Sequence, residues 1–307
     1  MGERRFLDLH THSSASDGSL APAELVALAD AEKLVAMALT DHDTTAGLAE
    51  ARRAAEALPE LHFIAGVEVS AEFAPGVLHI LGLGVNEDSA ALARLAGELR
   101  DAREQRNPKI IAKLQALGMA IDMDDVAAQA GAWHGRPARV PPGPPDGPIH
   151  DAPPILGRGH IAMAMVAKGQ ARSTDEAFDR YIGKGGPAYV EKDKLPPRAV
   201  IEAIHAAGAL AALAHPPQLL CRDAAELTAV VRRLIDAGLD AVEVYHSDHA
   251  AEQTRQYLDL ARRLGLGVAG GSDFHGALKP AVRLGRPRVT RAMIAGIVAD
   301  RLLAPSR

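Results

Sequence analysis

Histidines and carboxylates recur where short apolar runs of this chain end. The run from Arg5 leads into His10-Thr11-His12, and the run from Leu34 ends in Asp41, His42 and Asp43. Glu68 closes a third run and His79 sits in a fourth. Later runs close on His215, on Tyr245 and His246, and on Asp273 and His275. Neutral imidazole beside carboxylate is the donor set of divalent transition metals such as Mn, Fe and Zn. Successive strand side chains point to opposite faces, so His10 and His12 share a face and can grip one ion together. A lone Glu68 among imidazoles suits the bridging of two ions through its two oxygens. Ion pairs about 3.5–4 Å apart serve in-line displacement at phosphorus. One histidine at a strand end is ordinarily a hydrogen-bonding residue; the set gathered on one rim is what points to metal. His62, His134, His150 and His205 fall outside the pattern and read as surface or loop residues. His246 and His249 fit ligand-supporting, substrate-facing or purely structural roles.

Such a rim needs strands whose ends converge. Apolar runs alternate here with helical patterns, the signature of βα units, and the carboxyl ends of barrel strands gather on one face. The runs LHFIAGVEVS and VLHILGLGV, joined across Ala74, Pro75 and Gly76, read as a hairpin. Residues 87–118 read as a long helical stretch, and another helical pattern begins near Met123. The stretch His134 to Pro154 carries eight prolines, so it is neither regular helix nor central strand and reads as a long loop or flap. Helical pattern resumes at about His160 to Lys168 and Ser173 to Tyr181. The βα rhythm returns with a strand at 208–216, and RPRVT at 286–290 fits a last short strand. The expected organisation is barrel over 1–99, helical insertion with the Pro-rich loop over 100–195, and barrel again over 196–307.

Composition narrows the function. The chain has 307 residues, 48% hydrophobic, enough for a sizeable core without disulfides, and its single Cys221 cannot form an internal bridge. No apolar run approaches the roughly 18 residues of a membrane span, so a soluble, cytoplasmic protein is expected. A net charge of −5 and 3% aromatics disfavour a grip on long duplex or single-stranded nucleic acid and leave room for a small phosphorylated substrate. Outside the rim, GKGG at Gly183 to Gly186 lacks the spacing of a phosphate loop, and Lys184 reads as part of a surface turn. Arg158 and His160, in GRGHIA just after the Pro-rich loop, are more suggestive, because Arg binds phosphate bidentately, although an Arg read alone is by default a surface residue.

Taken in order, LDLHTHSSASDG, LTDHDT, GVEVS, AHP and GGSDFHG resemble the successive motifs of the PHP family, named for polymerase and histidinol phosphatase. The resemblance runs from about residue 5 to about residue 290. It implies an α/β fold, a distorted seven-stranded β/α barrel of TIM-like type, with a trinuclear metal site. By resemblance the first ion takes His10, His12, Glu68 and Asp273. The second shares Glu68 and adds His79 and His215, and the third takes Asp17, His42 and His275. Asp17 enters only through the resemblance. The segments GRGHIAMAMVAKG, YIGKGGPAYV and GLDAVEVYHSDH look like those of a subgroup acting on nucleoside 3′,5′-bisphosphates and on 5′ ends of short RNA. There Arg158 and His160 would contact the substrate phosphate. The stretch from Trp133 to Leu156 departs from the subgroup in its length and proline content, which bears on substrate access more than on chemistry.

The expected activity is a phosphoesterase using two to three divalent ions (Mn, Fe or Zn) on a nucleotide or short oligonucleotide, with no membrane or long duplex as partner. The same metals would serve a phosphatase for another small monoester such as histidinol phosphate. A C–N hydrolase of the amidohydrolase type also uses His-x-His, but commonly adds a strand-end Lys, and none ends these strands. A non-catalytic module of this family is disfavoured by the full ligand set.

Overall fold

The computed structural model describes residues 5–133 and 156–303. The Pro-rich stretch, with His134 and His150, therefore lies outside the described residues. Eight strands form one sheet: β1 (Phe6–Asp8), β2 (Leu34–Leu39), β3 (His62–Ala71), β4 (Leu78–Leu83), β5 (Leu210–Leu213), β6 (Ala241–Tyr245), β7 (Gly267–Gly270) and β8 (Val289–Thr290). Their order is β7-β6-β5-β4-β3-β2-β1-β8. The expected count of seven is exceeded by β8, a two-residue strand in RPRVT that pairs antiparallel with β1.

The sheet curls nearly into a barrel. Past β7, the chain runs beside the extended segment past β1: Leu9 N–H donates to Gly270 O at 3.2 Å, Asp273 N–H to His10 O at 2.9 Å and His12 N–H to Phe274 O at 2.9 Å. Gly271 permits this approach, since a Cβ there would overlap the His10 backbone. The strands run parallel except β4, antiparallel to both neighbours, and β8. The predicted hairpin is thus real, with Ser70 opposite His79.

Helices α1 (Pro22–Ala31) and α2 (Leu48–Glu56) cover the first strands, and α7 (Pro197–Ala206), α8 (Ala224–Asp236), α9 (Ala251–Leu264) and α10 (Ile297–Leu302) the later ones. Sequence reading passed over α7, whose Pro197 at its first position suits a helix start. Strand alternation sorts the apolar residues. Leu78, Ile80, Val67, Val69, Val242 and Val244 pack toward the helices, whereas Ile64, Leu81, Leu83, Ala212 and Ala241 fill a second cluster.

Between β4 and α7 come α3 (Ala90–Ala116), α4 (Met123–Trp133), α5 (Arg158–Ala167) and α6 (Thr174–Ala177) with a short π turn at Phe178–Ile182. Ile110, Ile111, Leu114, Ile161, Met165 and Ile182 form a third apolar cluster. Helix α3 spans two of the clusters, because its earlier Leu92, Leu95 and Leu99 belong to the helix-facing barrel core. Among the described residues no helix is long and apolar enough to cross a membrane.

Candidate metal centre

Glu68 is the hub. It lies inside β3 rather than at its end, fully buried, and five imidazoles close on its carboxylate. His10 Nε2, His12 Nε2 and His42 Nδ1 stand 3.3, 3.2 and 2.9 Å from Oε2. His79 Nδ1 and His215 Nε2 stand 2.9 and 2.8 Å from Oε1. His79 belongs to the second residue of β4, yet reaches this rim because β4 runs backward, putting its start beside the ends of its parallel neighbours.

The structure gathers ligand-type residues into groups that overlap those the resemblance implies without coinciding with all of them. His10, His12, Glu68 and Asp273 offer ligand atoms all within 4.8 Å of one another, as do His12, Asp17, His42 and His275, and as do His42, Glu68 and His79. His215 joins through its 3.3 Å contact with His79 and its contact with Glu68. Asp17 sits in the loop after β1, held down where Gly18 packs against the His12 backbone; its Oδ1 is 3.3 Å from His275 Nε2. Asp273 and Asp43 have φ of +57° and His215 has φ of +23°, a region bulky L-residues rarely occupy. Three non-glycine residues so placed at one rim fit a backbone shaped by its site rather than by its own preference.

Several orphaned atoms test whether cations fit. His10 Nε2, His12 Nε2, Asp17 Oδ1, His42 Nδ1 and Glu68 Oε2 are buried and without hydrogen-bond partners. Unpaired buried polar atoms are costly, and these converge in mixed imidazole and carboxylate groups, the donor set of divalent transition metals. The charges agree. Burial opposes ionisation of Glu68, but the imidazoles of His42 and His79 hold its carboxyl well below the usual range. Burial pulls the His12 imidazolium down, yet contacts with Asp273 and Glu68 outweigh it and push it up to about 9. Burial brings His79 down to about 4, leaving a neutral ring.

Other carboxylates of the rim serve differently. Asp41 accepts from Ser13 N–H at 2.8 Å and from the Ser13 and Ser16 hydroxyls at 2.6 Å each, so it shapes the loop that bears Asp17. Asp43 accepts from Ser70 N–H at 2.8 Å and pairs with Arg103 and Lys192. Tyr245 packs against apolar clusters. Sequence reasoning missed Glu243. Its Oε1 is 3.1 Å from His10 Nδ1, and its Oε2 accepts from His215 N–H at 2.8 Å. A carboxylate behind a ligand histidine fixes the ring's tautomer and direction. The available signal was a charged residue in the middle of the apolar strand AVEVY. His246 Nε2 lies 3.6 Å from Asp273 Oδ2 and forms a further buried group with His10 and Glu243. Lys279 Nζ donates to Asp273 Oδ2 at 2.5 Å.

Arg158 and His160 open α5 on either side of Gly159, where an added Cβ would lie 3.3 Å from Asp17 Oδ2. The Arg158 guanidinium is directed into the insertion, donating to Ile182 O at 3.3 Å. His160 is buried, with Nδ1 accepting from Gly157 N–H at 3.1 Å. Of the remaining residues, His62 is exposed, His205 pairs with Asp240 at 2.8 Å, His249 contacts Val244 O at 2.9 Å, and Lys184 Nζ lies 3.4 Å from Gly76 O.

A histidine-and-carboxylate rim on a nearly closed α/β barrel defines a class, and the chain belongs to it: this is a member of the PHP family of metal-dependent phosphoesterases, a hydrolase of phosphoric esters. The family model, described as PHP domain, matches residues 8–119. A Chromobacterium violaceum protein named 3′,5′-nucleoside bisphosphate phosphatase is 34% identical over 272 residues, 88% of this chain and 87% of the relative. The Escherichia coli 5′-3′ exoribonuclease Rnm is 30% identical over 293 residues, 94% of this chain and 92% of the relative. An Eggerthella lenta protein named phosphoribosyl 1,2-cyclic phosphate 1,2-diphosphodiesterase is 32% identical over 272 residues, 88% of this chain and 94% of the relative. A crystal structure of a Bifidobacterium adolescentis protein described as a metal-dependent phosphoesterase aligns with a TM-score of 0.77 at 31% identity, covering 92% of each chain.

Proposed function

We propose that this protein is a cytoplasmic enzyme that releases phosphate from nucleoside 3′,5′-bisphosphates and trims the 5′ ends of very short RNA. Two to three divalent ions (Mn, Fe or Zn) would be held by His10, His12, Glu68 and Asp273, by Glu68, His79 and His215, and by Asp17, His42 and His275. When bound, such ions supply Lewis acidity toward the phosphoryl group and activate water for in-line attack. The chain's own part is arrangement. Glu68 offers both oxygens among five imidazoles, so adjacent cations would share one anionic bridge. Glu243 stands 3.1 Å from His10 Nδ1, so the ring proton would stay on Nδ1 and Nε2 would be the atom offered to an ion. Arg158 and His160, beside Asp17, are the candidates to meet a substrate anion from the insertion side.

The Glu68 hub is the single observation that carries the chemistry. Net charge of −5 and few aromatics support a small anionic substrate over long nucleic acid, and two relatives are named for nucleotide or RNA substrates. The relative named for a cyclic phosphodiester gives a second reading a specific basis. The test compares metal-loaded protein at equal substrate concentration on adenosine 3′,5′-bisphosphate, AMP, histidinol phosphate, a ribosyl 1,2-cyclic phosphate and a 5′-phosphorylated trinucleotide, following phosphate and nucleotide products. The bisphosphate is expected to lead. If histidinol phosphate or the cyclic diester leads, the nucleotide assignment falls while the metal chemistry stands.

A further inference from the structure

The carboxylate of Asp273 divides its two oxygens between different kinds of partner. Oδ1 faces imidazoles: His12 Nε2 at 3.2 Å, His275 Nδ1 at 3.4 Å and His10 Nε2 at 3.5 Å. Oδ2 instead accepts from the Lys279 ammonium at 2.5 Å, and His246 Nε2 lies 3.6 Å from it. His246 Nδ1 accepts from Asp248 N–H at 3.0 Å, so that ring carries its proton on Nε2, toward the same oxygen. One oxygen therefore belongs to the ligand imidazoles and the other to proton donors.

The backbone delivers the ammonium to that place. No strand ends in lysine; this one arrives from the turn beyond β7. Directly after His275 the chain makes a short 3-10 turn, Gly276–Leu278. Gly276 has φ of +65° and abuts Ser19 so closely that a Cβ would overlap its hydroxyl. That hydroxyl accepts from Ala277 N–H at 2.9 Å, while Ser19 N–H donates to His275 O at 3.0 Å. The turn is thus fastened to the loop that bears Asp17, and Lys279 N–H closes it on Gly276 O at 3.1 Å. From there the Lys279 side chain, 36% exposed, reaches inward to a carboxylate that is only 4% exposed. An exposed ion pair would contribute little; this one ends on a buried residue of the metal rim.

We propose that Lys279 is a positioning residue for the metal centre: it caps Asp273 Oδ2, so that Asp273 gives a divalent ion one oxygen and not two. This rests on the reading of Asp273 as a ligand. A carboxylate can take an ion with one oxygen or with both, and the second oxygen fills a coordination place that catalysis needs for water or substrate. The ammonium also sets a positive charge beside any ion that Asp273 holds, and like charges repel. Lys279 therefore exchanges metal affinity for an open coordination place. That is the opposite of a carboxylate behind a ligand histidine, whose loss weakens the metal.

The test compares the full chain as wild type, K279M and K279R. Mn affinity is measured by competition with a chelator, and each protein is also loaded with Co(II), whose visible bands weaken as its coordination number rises. K279M should bind Mn about tenfold or more tightly than wild type, on the scale of the repulsion between an ammonium and a divalent ion a few ångströms apart even through water. Its Co(II) bands should weaken as Oδ2 joins the ion. K279R, which keeps both charge and donor, should match wild type. A lysine that merely braced the loop would give the reverse, weaker binding in K279M. Should K279M misfold, K279Q takes its place: the amide still caps Oδ2, so affinity should rise while the Co(II) bands stay as in wild type, and an affinity that does not rise counts against the proposal. A folded K279M with Mn affinity no higher than wild type, or with unchanged Co(II) bands, would overturn it. Wild type that takes up no ion would remove the ligand reading and this inference together; normal uptake by wild type beside an unaltered K279M removes the inference alone.

Discussion

Replacing Glu243 by Gln keeps shape and removes one acceptor. Glu243 is fully buried, and although burial opposes ionisation, the neighbouring imidazoles of His10 and His246 hold its carboxyl down to about 2. It is therefore acceptor-only, and His10 Nδ1 must carry the proton in their 3.1 Å contact. The second oxygen accepts from His215 N–H. A carboxamide offers one oxygen and one NH2. If the oxygen stays on His215, the NH2 faces His10 Nδ1, and the ring proton must move to Nε2. That is the atom 3.3 Å from Glu68 and 3.5 Å from Asp273, where a lone pair is needed. If the oxygen turns to His10, the NH2 meets a backbone N–H. Either way a buried polar group goes unpaired, at about 1–3 kcal/mol. At about 1.4 kcal/mol per decade this is roughly a 5- to 150-fold loss of metal affinity. The assay is competition for Mn against a chelator of known affinity, with elemental analysis of the recovered protein and circular dichroism to confirm the fold. A folded Gln variant with wild-type affinity would refute the orienting role of Glu243.

Glu68→Gln should lose metal and nearly all turnover with the fold retained, because an amide cannot set two anionic oxygens between cations that repel; elemental analysis beside a turnover assay checks it. Arg158→Ala should lower kcat/KM for the bisphosphate by about 10²-fold with metal content unchanged, so an unaffected variant would remove Arg158 from the substrate site. Asp43→Asn strands Arg103 and Lys192 without their carboxylate, and urea unfolding should show a loss of about 3–5 kcal/mol. Metal uptake should release protons. In the metal-free chain His12 stays protonated up to about 9, and the carboxylates of Glu243, Glu68 and Asp273 hold His10 well above the ordinary imidazole range despite its burial, so apparent affinity should climb as pH rises toward 9. Calorimetry in buffers of different ionisation enthalpy measures the proton count, and a pH-independent affinity between 6 and 9 would contradict it.

What the chain reveals without its structure depends on where each residue's partners lie. His10 and His12 are legible because strand alternation is local, and Glu68, His79 and His215 because each interrupts an apolar run. Asp17 has no periodic element around it, so spacing could not find it. The triplet Asp41-His42-Asp43 ends one apolar run with three residues of ligand type, of which the resemblance takes only His42. Backbone turning, including the positive φ at Asp43, sends one carboxylate to Ser13 and Ser16 and the other to Arg103 and Lys192. Glu243 stayed hidden because it is a charge in an apolar strand whose partner lies 233 residues away. The segment RPRVT already reads as a last short strand, and β8 lies within it; the count of seven came from the family resemblance.

The backward strand β4 makes the hairpin's register a test that metal itself can read. His79 and Leu81 alternate with Leu78 and Ile80, the latter pair packed under the helices. A slip of one residue would reverse every side chain: the imidazole would turn into the apolar layer, and a leucine or isoleucine would face Glu68. Chains that closed this hairpin wrongly would lack one imidazole of the Glu68 hub while keeping most of their secondary structure. Metal occupancy in a refolded preparation would then count correctly threaded molecules, a fidelity measure that backbone spectroscopy cannot supply.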